Sequence, residues 1–368
     1  MEENLKYWVA LNLILAERLK LTQKILQHFP SVQEIFKAHA EDFVEIGVEQ
    51  KIVDALASRK VLDKADKVID SVYKKGYTIV TIEDNRYPEY LREIFDPPIV
   101  LYCAGQVKTL KEPAVSIVGT RNPTPYGRAV AERLAHDLAV RGVVVVSGLA
   151  RGIDSVAHWG ALKGGKTVAV LGSGLDNIYP RENRRLFNSI IENGTVVSEF
   201  PLKSPPLGLH FPIRNRIISG LSLATVVVEA ARRSGSLISA RLALEQNREV
   251  MAVPGNITSE MSQGTNWLLQ AGAKLVEAWE DVAMEFPSPL KEHILSQKEV
   301  EDTKLPDMNM PEKEIYEFLK PDELIHIDEI VEKSELSVSE VLTHLLNLEL
   351  KGWISQRPGK YFSRNLSC

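Results

Sequence analysis

The spacing of hydrophobic residues changes twice along the 368 residues of the chain, which gives three segments with different patterns. Over residues 1–75 they return every three or four positions, which is the spacing of amphipathic helices. Ser31, followed three positions later by Glu34, has the pattern of a capping box at a helix start. This segment is predicted to be a small helical domain of the helix-hairpin-helix or SAM-like type. It serves either as a DNA-binding module or as a packing and interaction domain, since a helical pattern carries no chemistry.

Between residues 76 and 287 the pattern changes to short β-branched runs. They occupy residues 78–82, 99–103, 114–118, 143–147, 167–171, 195–199, 224–230 and 249–253. Helical stretches separate most of the runs that follow residue 113. Nearly continuous apolar strands that alternate with helices predict a parallel sheet covered on both faces. The fold class is therefore α/β, with a Rossmann-like doubly wound sheet.

The third segment follows a polar stretch at residues 288–310. This stretch shows no regular spacing of hydrophobic residues and is predicted to be a linker. Three helical patterns and a pair of short strands then fill residues 311–368. This succession predicts a winged-helix domain. Ser337 and Glu340 form a second capping-box pattern at the third helix. Residues 357–360, with the sequence RPGK, are expected to form the turn of the wing.

Composition narrows the classes of protein. Hydrophobic residues make up 44% and charged residues 25% of the chain, ordinary values for a globular protein. A formal net charge of -5 argues against coating of nucleic acid by bulk charge, although it permits a local basic groove. Two cysteines are too few for a disulfide framework or a zinc site, which favours a cytoplasmic protein. The apolar run near the start contains charges, so neither a signal peptide nor a membrane span is expected.

The residues that follow the predicted strands share small size, a hydroxyl or a guanidinium. They are Gly119, Thr120 and Arg121, then Gly148, Arg151 and Gly152, and later Arg232, Arg233, Ser234, Gly235 and Ser236. Ligands of parallel α/β sheets bind at the carboxyl ends of strands. Glycine lets a backbone approach a ligand, helix N-termini offer free N–H groups, and arginine matches phosphate oxygens. The pattern predicts an anion-binding rim, although each glycine alone is also explained by a tight turn.

Several polar residues near this rim have structural alternatives. Asp154 is interpreted as an N-cap, and His158 as a packed rather than a catalytic residue. Glu199 is expected to be a buried partner of Arg214 or Arg216. Those two arginines either clamp the fold or contact a ligand, and the sequence leaves both possibilities open.

Familiar catalytic and cofactor motifs are missing from the strand ends. The sequence contains neither a P-loop nor the dinucleotide glycine pattern. It lacks Cys/His spacing for a metal and a nucleophile elbow between a strand and a helix. The rim collects arginine, serine and glycine without an evident acid–base pair. This profile favours binding over catalysis, with no cofactor and no metal.

Six ordered segments of the middle region closely resemble the DprA/Smf family of bacterial DNA-processing proteins. They are SIVGTRNPTPYG, the run from VVVVSGLARGIDSVAHWG to GSGLDNIYPREN, VVSEFP, HFPIRNRIISGLS, the run from VVVEAARRSGSLISA to MAVPGN, and QGTNWLLQAGAKLV. The resemblance covers roughly half of the chain, and both terminal segments look like extra domains that family members carry. It implies a non-enzymatic, dimeric protein that binds single-stranded DNA, protects it and loads RecA recombinase during natural transformation.

The resemblance also implies which residues contact DNA. The matching positions are Gly119, Thr120, Arg121, Ser147, Gly148, Arg151, Gly152, Phe211, Arg214, Asn215, Arg216, Ser234, Gly235 and Ser236. By this analogy Arg121, Arg151 and Arg214 contact phosphates, and Phe211 lies against a base. Stacking within an electrostatic groove is the physical basis of sequence-tolerant single-strand binding.

Two other functions remain as alternatives. Nucleoside-phosphate-cleaving enzymes of the lysine-decarboxylase-like type have a similar fold and a P-G-G-x-G-T-x-x-E signature. Residues 229–240 here read EAARRSGSLISA, without the glycine pair or the downstream glutamate. An inert scaffold for protein interactions is the second alternative.

Two surfaces are expected to contact proteins. The presumed recognition helix at residues 337–352 carries Glu340 and Glu349, with Lys351 as its only cation. A DNA-reading helix is usually basic, so the winged-helix tail is predicted to contact protein. Trp267, Leu269 and Leu275 belong either to the core or to a dimer seam.

Overall fold

The computed structural model describes residues 2–297, 308–320, 323–334 and 336–364. The N-terminal segment is helical, as the apolar spacing predicts. Its helices are α1 (Glu2–Leu15), α2 (Leu19–His28), α3 (Val32–Ile35), α4 (Ala40–Val44), α5 (Gln50–Ala57) and α6 (Arg59–Lys74). The hydroxyl of Ser31 caps α3 by accepting a hydrogen bond from the backbone N–H of Glu34.

A nine-stranded sheet forms the centre of the molecule, and all eight predicted strands belong to it. Its elements are β1 (Thr78–Thr81), α7 (Glu89–Arg92), β2 (Val100–Gly105), β3 (Ala114–Val118), α8 (Pro125–Val140), β4 (Val144–Ser147), α9 (Ile153–Gly164), β5 (Thr167–Leu171), α10 (Arg184–Asn193), β6 (Thr195–Ser198), α11 (His210–Gly220), β7 (Ala224–Val227), α12 (Ser236–Glu245), β8 (Glu249–Ala252), α13 (Gln263–Gln270), β9 (Lys274–Leu275), α14 (Trp279–Ala283) and α15 (Leu290–Leu295). Helices therefore follow most strands, as expected for a doubly wound fold.

The strand order is β1-β2-β6-β5-β4-β3-β7-β8-β9. Neighbours from β6 to β9 are parallel, which confirms the parallel-dominated α/β class. At one edge, β1 and β2 run antiparallel to each other, and β2 runs antiparallel to β6. Such an antiparallel edge is common on large parallel sheets. The sequence did not predict it, because an apolar run carries no information about strand direction.

The order of the sheet reverses between β3 and β7. After β3 the chain continues through β4, β5 and β6 on one side, whereas β7, β8 and β9 extend the other side. Helix α8 packs on one face of the sheet and α12 on the opposite face. Where two neighbouring strands send their helices to opposite faces, a crevice opens at their carboxyl ends.

The N-terminal helices share a hydrophobic core with the sheet. Buried Val9 and Leu11 of α1 belong to the same cluster as Leu171 of β5 and Val196 of β6. A buried hydrogen bond also joins the two parts, since the side-chain amide of Asn12 donates to the backbone carbonyl of Glu199 over 3.1 Å. The helical segment is thus packed as part of the same unit.

The C-terminal segment has the predicted winged-helix pattern and its own core. Its elements are α16 (Met310–Phe318), β10 (Ile325–His326), α17 (Ile327–Ser334), α18 (Val338–Leu350), β11 (Ile354–Arg357) and β12 (Tyr361–Arg364). Ser337 and Glu340 form the expected capping box of α18. Gly359, in the turn between β11 and β12, has a φ of +87°. The short strand β10 was not anticipated, because two residues are too few to show alternation.

The segment predicted as a linker, residues 288–310, begins with a helix instead. Ile294 of α15 is buried in the core beneath the sheet. Six residues are too few to show a helical period, which explains why the sequence pattern missed α15. Residues 298–307 of the predicted linker lie outside the described part of the chain. Among the described helices, none has both the length and the hydropathy needed to cross a membrane.

Candidate nucleic-acid interface

A cleft of about 860 Å³ opens where the order of the sheet reverses. Its walls contain the residues that follow β3 and β7 together with the first turns of α11 and α12. Among its lining residues are Gly119, Thr120, Arg121, Asp154, Phe211, Arg214, Asn215, Arg232, Arg233, Ser234, Gly235, Ser236 and Glu260. Four arginines thus face two carboxylates in a chain whose net charge is -5. The cleft is locally cationic.

The turn after β3 is held by its own backbone. The N–H of Thr120 donates to the carbonyl of Glu229 over 2.7 Å. Gly152 adopts a φ of +77°, and a Cβ there would lie 2.3 Å from the carbonyl oxygen of Thr120. Glycine is therefore required at position 152 for this packing. The fixed turn carries Arg121, whose guanidinium lies 5.9 Å from the ring centre of Phe211.

Arg214 is the most unusual side chain of the cleft. It is 4% exposed, and its Nε and Nη1 atoms have no hydrogen-bond partner. Gly148 makes room for it, because a Cβ at that position would lie 1.5 Å from Nη1. Burial lowers the pKa of Arg214 to about 10, so the guanidinium remains charged at neutral pH. The cleft therefore contains a buried cation with unused N–H donors.

Asp154 supplies the negative charge beside Arg214. Its carboxylate accepts a hydrogen bond from the N–H of Gly148 over 3.1 Å. Burial raises the pKa of Asp154, and the charge of Arg214 opposes that rise. The prediction that Asp154 is an N-cap is wrong, since Gly152 holds that position. Asp154 lies in the first turn of α9 and points back to the preceding loop.

The start of α12 offers a second set of polar groups. The hydroxyls of Ser234 and Ser236 are 2.7 Å apart, and the N–H of Ser236 donates to Ser234. No atom lies within 4 Å of a Cβ built on Gly235, so the turn is open. Arg232 and Arg233 are exposed and form no ion pair within the described residues. Helix N-termini with nearby cations are suited to anions.

Comparison with known proteins assigns the family. Residues 78–287 match the family model for DNA recombination-mediator protein A, and residues 301–360 match the DprA winged helix domain. The chain belongs to the DprA/Smf family. It is 42% identical to protein Smf of Escherichia coli K12 over 297 residues, which cover 80% of this chain and 79% of that protein. It is also 42% identical over 226 residues to the DNA processing protein DprA of Bacillus subtilis, covering 61% of this chain and 76% of that one.

Two solved DprA structures resemble this member of the family. DprA of Streptococcus pneumoniae matches with a TM-score of 0.59 and 37% identity, over 72% of this chain and 96% of that chain. DprA of Helicobacter pylori matches with a TM-score of 0.52 and 36% identity, over 56% and 93%. The Helicobacter structure is described as showing a single-stranded DNA binding mode of that protein.

Some residues that the family resemblance assigned to the pocket have structural partners in this DprA/Smf chain. The Arg151 guanidinium pairs with Glu182, with Nη2 and Oε2 3.0 Å apart. Ser147 is buried and donates to the carbonyl of Ile117. Gly148 and Gly152 support Arg214 and the Thr120 turn, respectively. The structure therefore brings Arg121 and Arg214 into the lining of the cleft, whereas Ser147, Gly148, Arg151 and Gly152 are not part of that lining.

Arg216 is also a structural residue. It is 2% exposed, and its Nη2 lies 2.6 Å from the Glu199 carboxylate. Asp96 is a further partner, 3.5 Å from Nε. The hypothesis that Glu199 is a buried partner of an arginine is confirmed, with Arg216 as that arginine. Burial raises the pKa of Glu199, and Arg216 opposes the rise.

His158 is packed, as predicted, rather than placed for catalysis. It is fully buried behind the cleft. Nε2 accepts from the N–H of Leu149 over 3.3 Å, and Nδ1 lies 2.7 Å from Oγ1 of Thr167. Thr167 donates its hydroxyl proton to Val145, so the imidazole is neutral with its proton on Nδ1. Burial, with a smaller effect of Arg214, lowers the pKa of His158 to about 3.

The lowered pKa of His158 predicts that the free energy of unfolding depends on pH. The unfolded state takes up a proton near pH 6.5, whereas the native state resists it until about pH 3. The contribution of His158 to the free energy of unfolding is therefore complete above pH 6.5. It is lost progressively as the pH falls from 6.5 towards 3. Between pH 7 and pH 5 we expect the free energy of unfolding to drop by about 2 kcal/mol from this group.

Urea denaturation at both pH values measures this effect. His158→Asn should remove the drop, whereas the exposed His28→Asn should retain it. An equal pH dependence in wild type and His158→Asn would contradict the assignment.

The three residues considered for a dimer seam differ in exposure. Trp267 is 50% and Leu275 47% exposed, whereas Leu269 is partly buried against the core. Leu275 lies in β9 at the edge of the sheet. Two of the three residues therefore remain accessible, and the dimer stays a prediction.

Proposed function

We propose that this chain binds single-stranded DNA in the cleft between β3 and β7 and loads RecA recombinase onto it during transformation and recombination. The observation that carries the proposal is the buried Arg214. A buried guanidinium with unpaired N–H groups is costly unless a ligand supplies acceptors. The oxygens of a phosphodiester have the charge and the geometry to do so.

The rest of the cleft fits a single strand. Arg121, Arg232 and Arg233 can neutralise successive phosphates, and the α12 turn can receive an oxygen at its N–H groups. Phe211 lines the cleft and can offer its ring to an unpaired base, with the ring of the exposed Tyr179 5.7 Å from it. Base stacking of this kind requires no particular sequence. The single-strand binding mode described for the Helicobacter relative supports the same ligand.

The protein partners are proposed on separate grounds. RecA loading and dimerisation rest on membership of the family, with exposed Trp267 and Leu275 as the proposed seam. The winged-helix tail is proposed to contact protein. Its helix α18 exposes four apolar side chains at intervals of four residues. They are Val338, Leu342, Leu346 and Leu350.

We expect Arg121→Ala to weaken binding of a labelled single-stranded oligonucleotide about tenfold near 0.1 M salt. The loss of one phosphate contact should also reduce the slope of log K against log salt by about 0.7. Fluorescence anisotropy across a salt series, with duplex as competitor, measures both. Arg59→Ala, which removes an exposed arginine of α6 outside the cleft, is the matched control. Unchanged affinity and slope in Arg121→Ala would count against the cleft.

A further inference from the structure

A second cavity, of about 610 Å³, lies between the N-terminal helices and the segment that follows β6. Helices α1 and α6 form one side, and residues 200–204 form the other. The volume is within the range of small-molecule sites, roughly 300–1,000 Å³. This cavity shares no lining residue with the cleft between β3 and β7.

Cations dominate the charged lining of the cavity. Lys64, Lys67 and Lys203 form no ion pair within the described residues, whereas Arg18 pairs with Glu49. The single carboxylate of the lining, Glu17, lies 2.8 Å from Nε2 of His210. The three lysines are therefore uncompensated, which favours an anionic ligand.

The α6 wall is a largely polar side of an amphipathic helix. Lys64, Lys67, Val68 and Ser71 have the spacing of one helical face. The buried apolar side chains of α6, Ala65 and Val72, lie on another side of the helix. Lys64, Lys67 and Ser71 contribute two ammonium groups and a hydroxyl to the lining of the cavity.

The rest of the lining combines apolar side chains with the polar Asn12 and Ser204. Leu13 and Ile14 of α1 contribute on one side, and Pro201 and Leu202 on the other. A ligand that joins a phosphate to a flat ring system with apolar faces and polar edges can use both the charged and the apolar parts of the lining. A nucleoside phosphate has this composition.

The wall at residues 201–204 is held in place before any ligand binds. The backbone N–H groups of Asp176 and Gly174 donate to the carbonyls of Leu202 and Ser204, each over 2.9 Å. The side-chain amide of Asn177 donates to the carbonyl of Lys203 over 2.8 Å. A preformed site loses little free energy in ordering itself on binding.

We propose that this cavity binds a nucleoside phosphate. The ligand is either a free nucleotide or the terminal nucleotide of a DNA strand, since both present the same chemistry. The site shares no lining residue with the proposed DNA cleft, so variants of the two sites can be compared with each other.

The test uses the full chain and two probes, ATP labelled with a methylanthraniloyl fluorophore and a 5′-phosphorylated labelled oligonucleotide. The double variant Lys64→Glu/Lys67→Glu should weaken binding of at least one probe tenfold or more. Ser71→Trp, which fills the cavity without changing its charge, should do the same. Lys60→Glu reverses one lysine charge on α6 outside the cavity and should leave binding intact.

The outcomes separate the sources and the sites. Weaker ATP binding identifies a free nucleotide, and weaker oligonucleotide binding alone identifies a strand terminus. The proposal is overturned if neither probe responds, or if Lys60→Glu weakens binding as much as the double variant. It is also overturned if ATP binding is lost in Arg121→Ala but retained in the double variant and in Ser71→Trp, because ATP then occupies the cleft.

Discussion

Arg214→Met is expected to weaken single-strand binding by about 2 kcal/mol or more, which is roughly 30-fold. The substitution keeps an apolar stem of similar length but removes the only cleft guanidinium in the described residues that is nine-tenths buried. Folding should lose little, because Nε and Nη1 of Arg214 have no partner in the protein. Asp154 can take up a proton in the variant, since burial already raises its pKa.

Anisotropy and urea denaturation on the same preparation check both halves of this expectation. Arg214→Lys provides the control, because it keeps the charge but loses the planar fork, and it should bind with intermediate affinity. If Arg214→Met bound DNA as well as the wild type but was clearly less stable, Arg214 would be a structural residue and not a DNA-binding one.

Arg216→Met should have the opposite profile. We expect the free energy of unfolding to fall by about 3–5 kcal/mol, because Glu199 would remain buried without its partner. The Glu199 side chain is only 4% exposed and lies 2.6 Å from Nη2. Denaturation at neutral pH measures the loss.

A double variant tests the pairing itself. Glu199→Leu combined with Arg216→Met removes both charges and should recover most of the lost stability. If the double variant is as unstable as the two single losses added together, the pair is not the source of the effect. Residual single-strand affinity in folded Arg216→Met should stay near that of the wild type.

These two arginines also show where sequence reasoning reached its limit. Arg214 and Arg216 are two positions apart, so they point about 200° apart around α11. One faces the cleft and the other faces Glu199, which precedes it by 17 positions. Arg151 likewise meets its carboxylate, Glu182, 31 positions further along. The sequence shows which residues are arginines and glutamates, but which of them pair is determined by tertiary packing.

Other parts of the site followed from local rules. Gly119, Thr120 and Arg121 were predicted because they follow an apolar strand, and the structure places them in the cleft. The α12 turn was found in the same way. Asp154 was misassigned because an acidic residue near a helix start is typically a cap, whereas here the cap is Gly152.

In the fold, too, the elements that were predicted differ from those that were missed in how much local pattern they carry. Eight strands and the wing were predicted from patterns of four or more residues. Strand β9, with two residues, and helix α15, with six, carry too little periodicity to be recognised. The directions of β1 and β2 depend on the pairing of β1 with β2 and of β2 with β6, which no local pattern records.

The shared core of the N-terminal helices has a consequence for synthesis of the protein. Val9 and Leu11 belong to the same buried cluster as residues of β5 and β6. Strand β6 begins roughly 120 positions after α6 ends, so at about 5–20 residues per second the ribosome needs roughly 6–24 s to supply it. During that interval the newly made helices can pack against one another, but the part of their apolar surface that the sheet covers stays exposed. They therefore leave the ribosome with a surface that stays open to chaperones, or to other nascent chains, until the sheet closes over it.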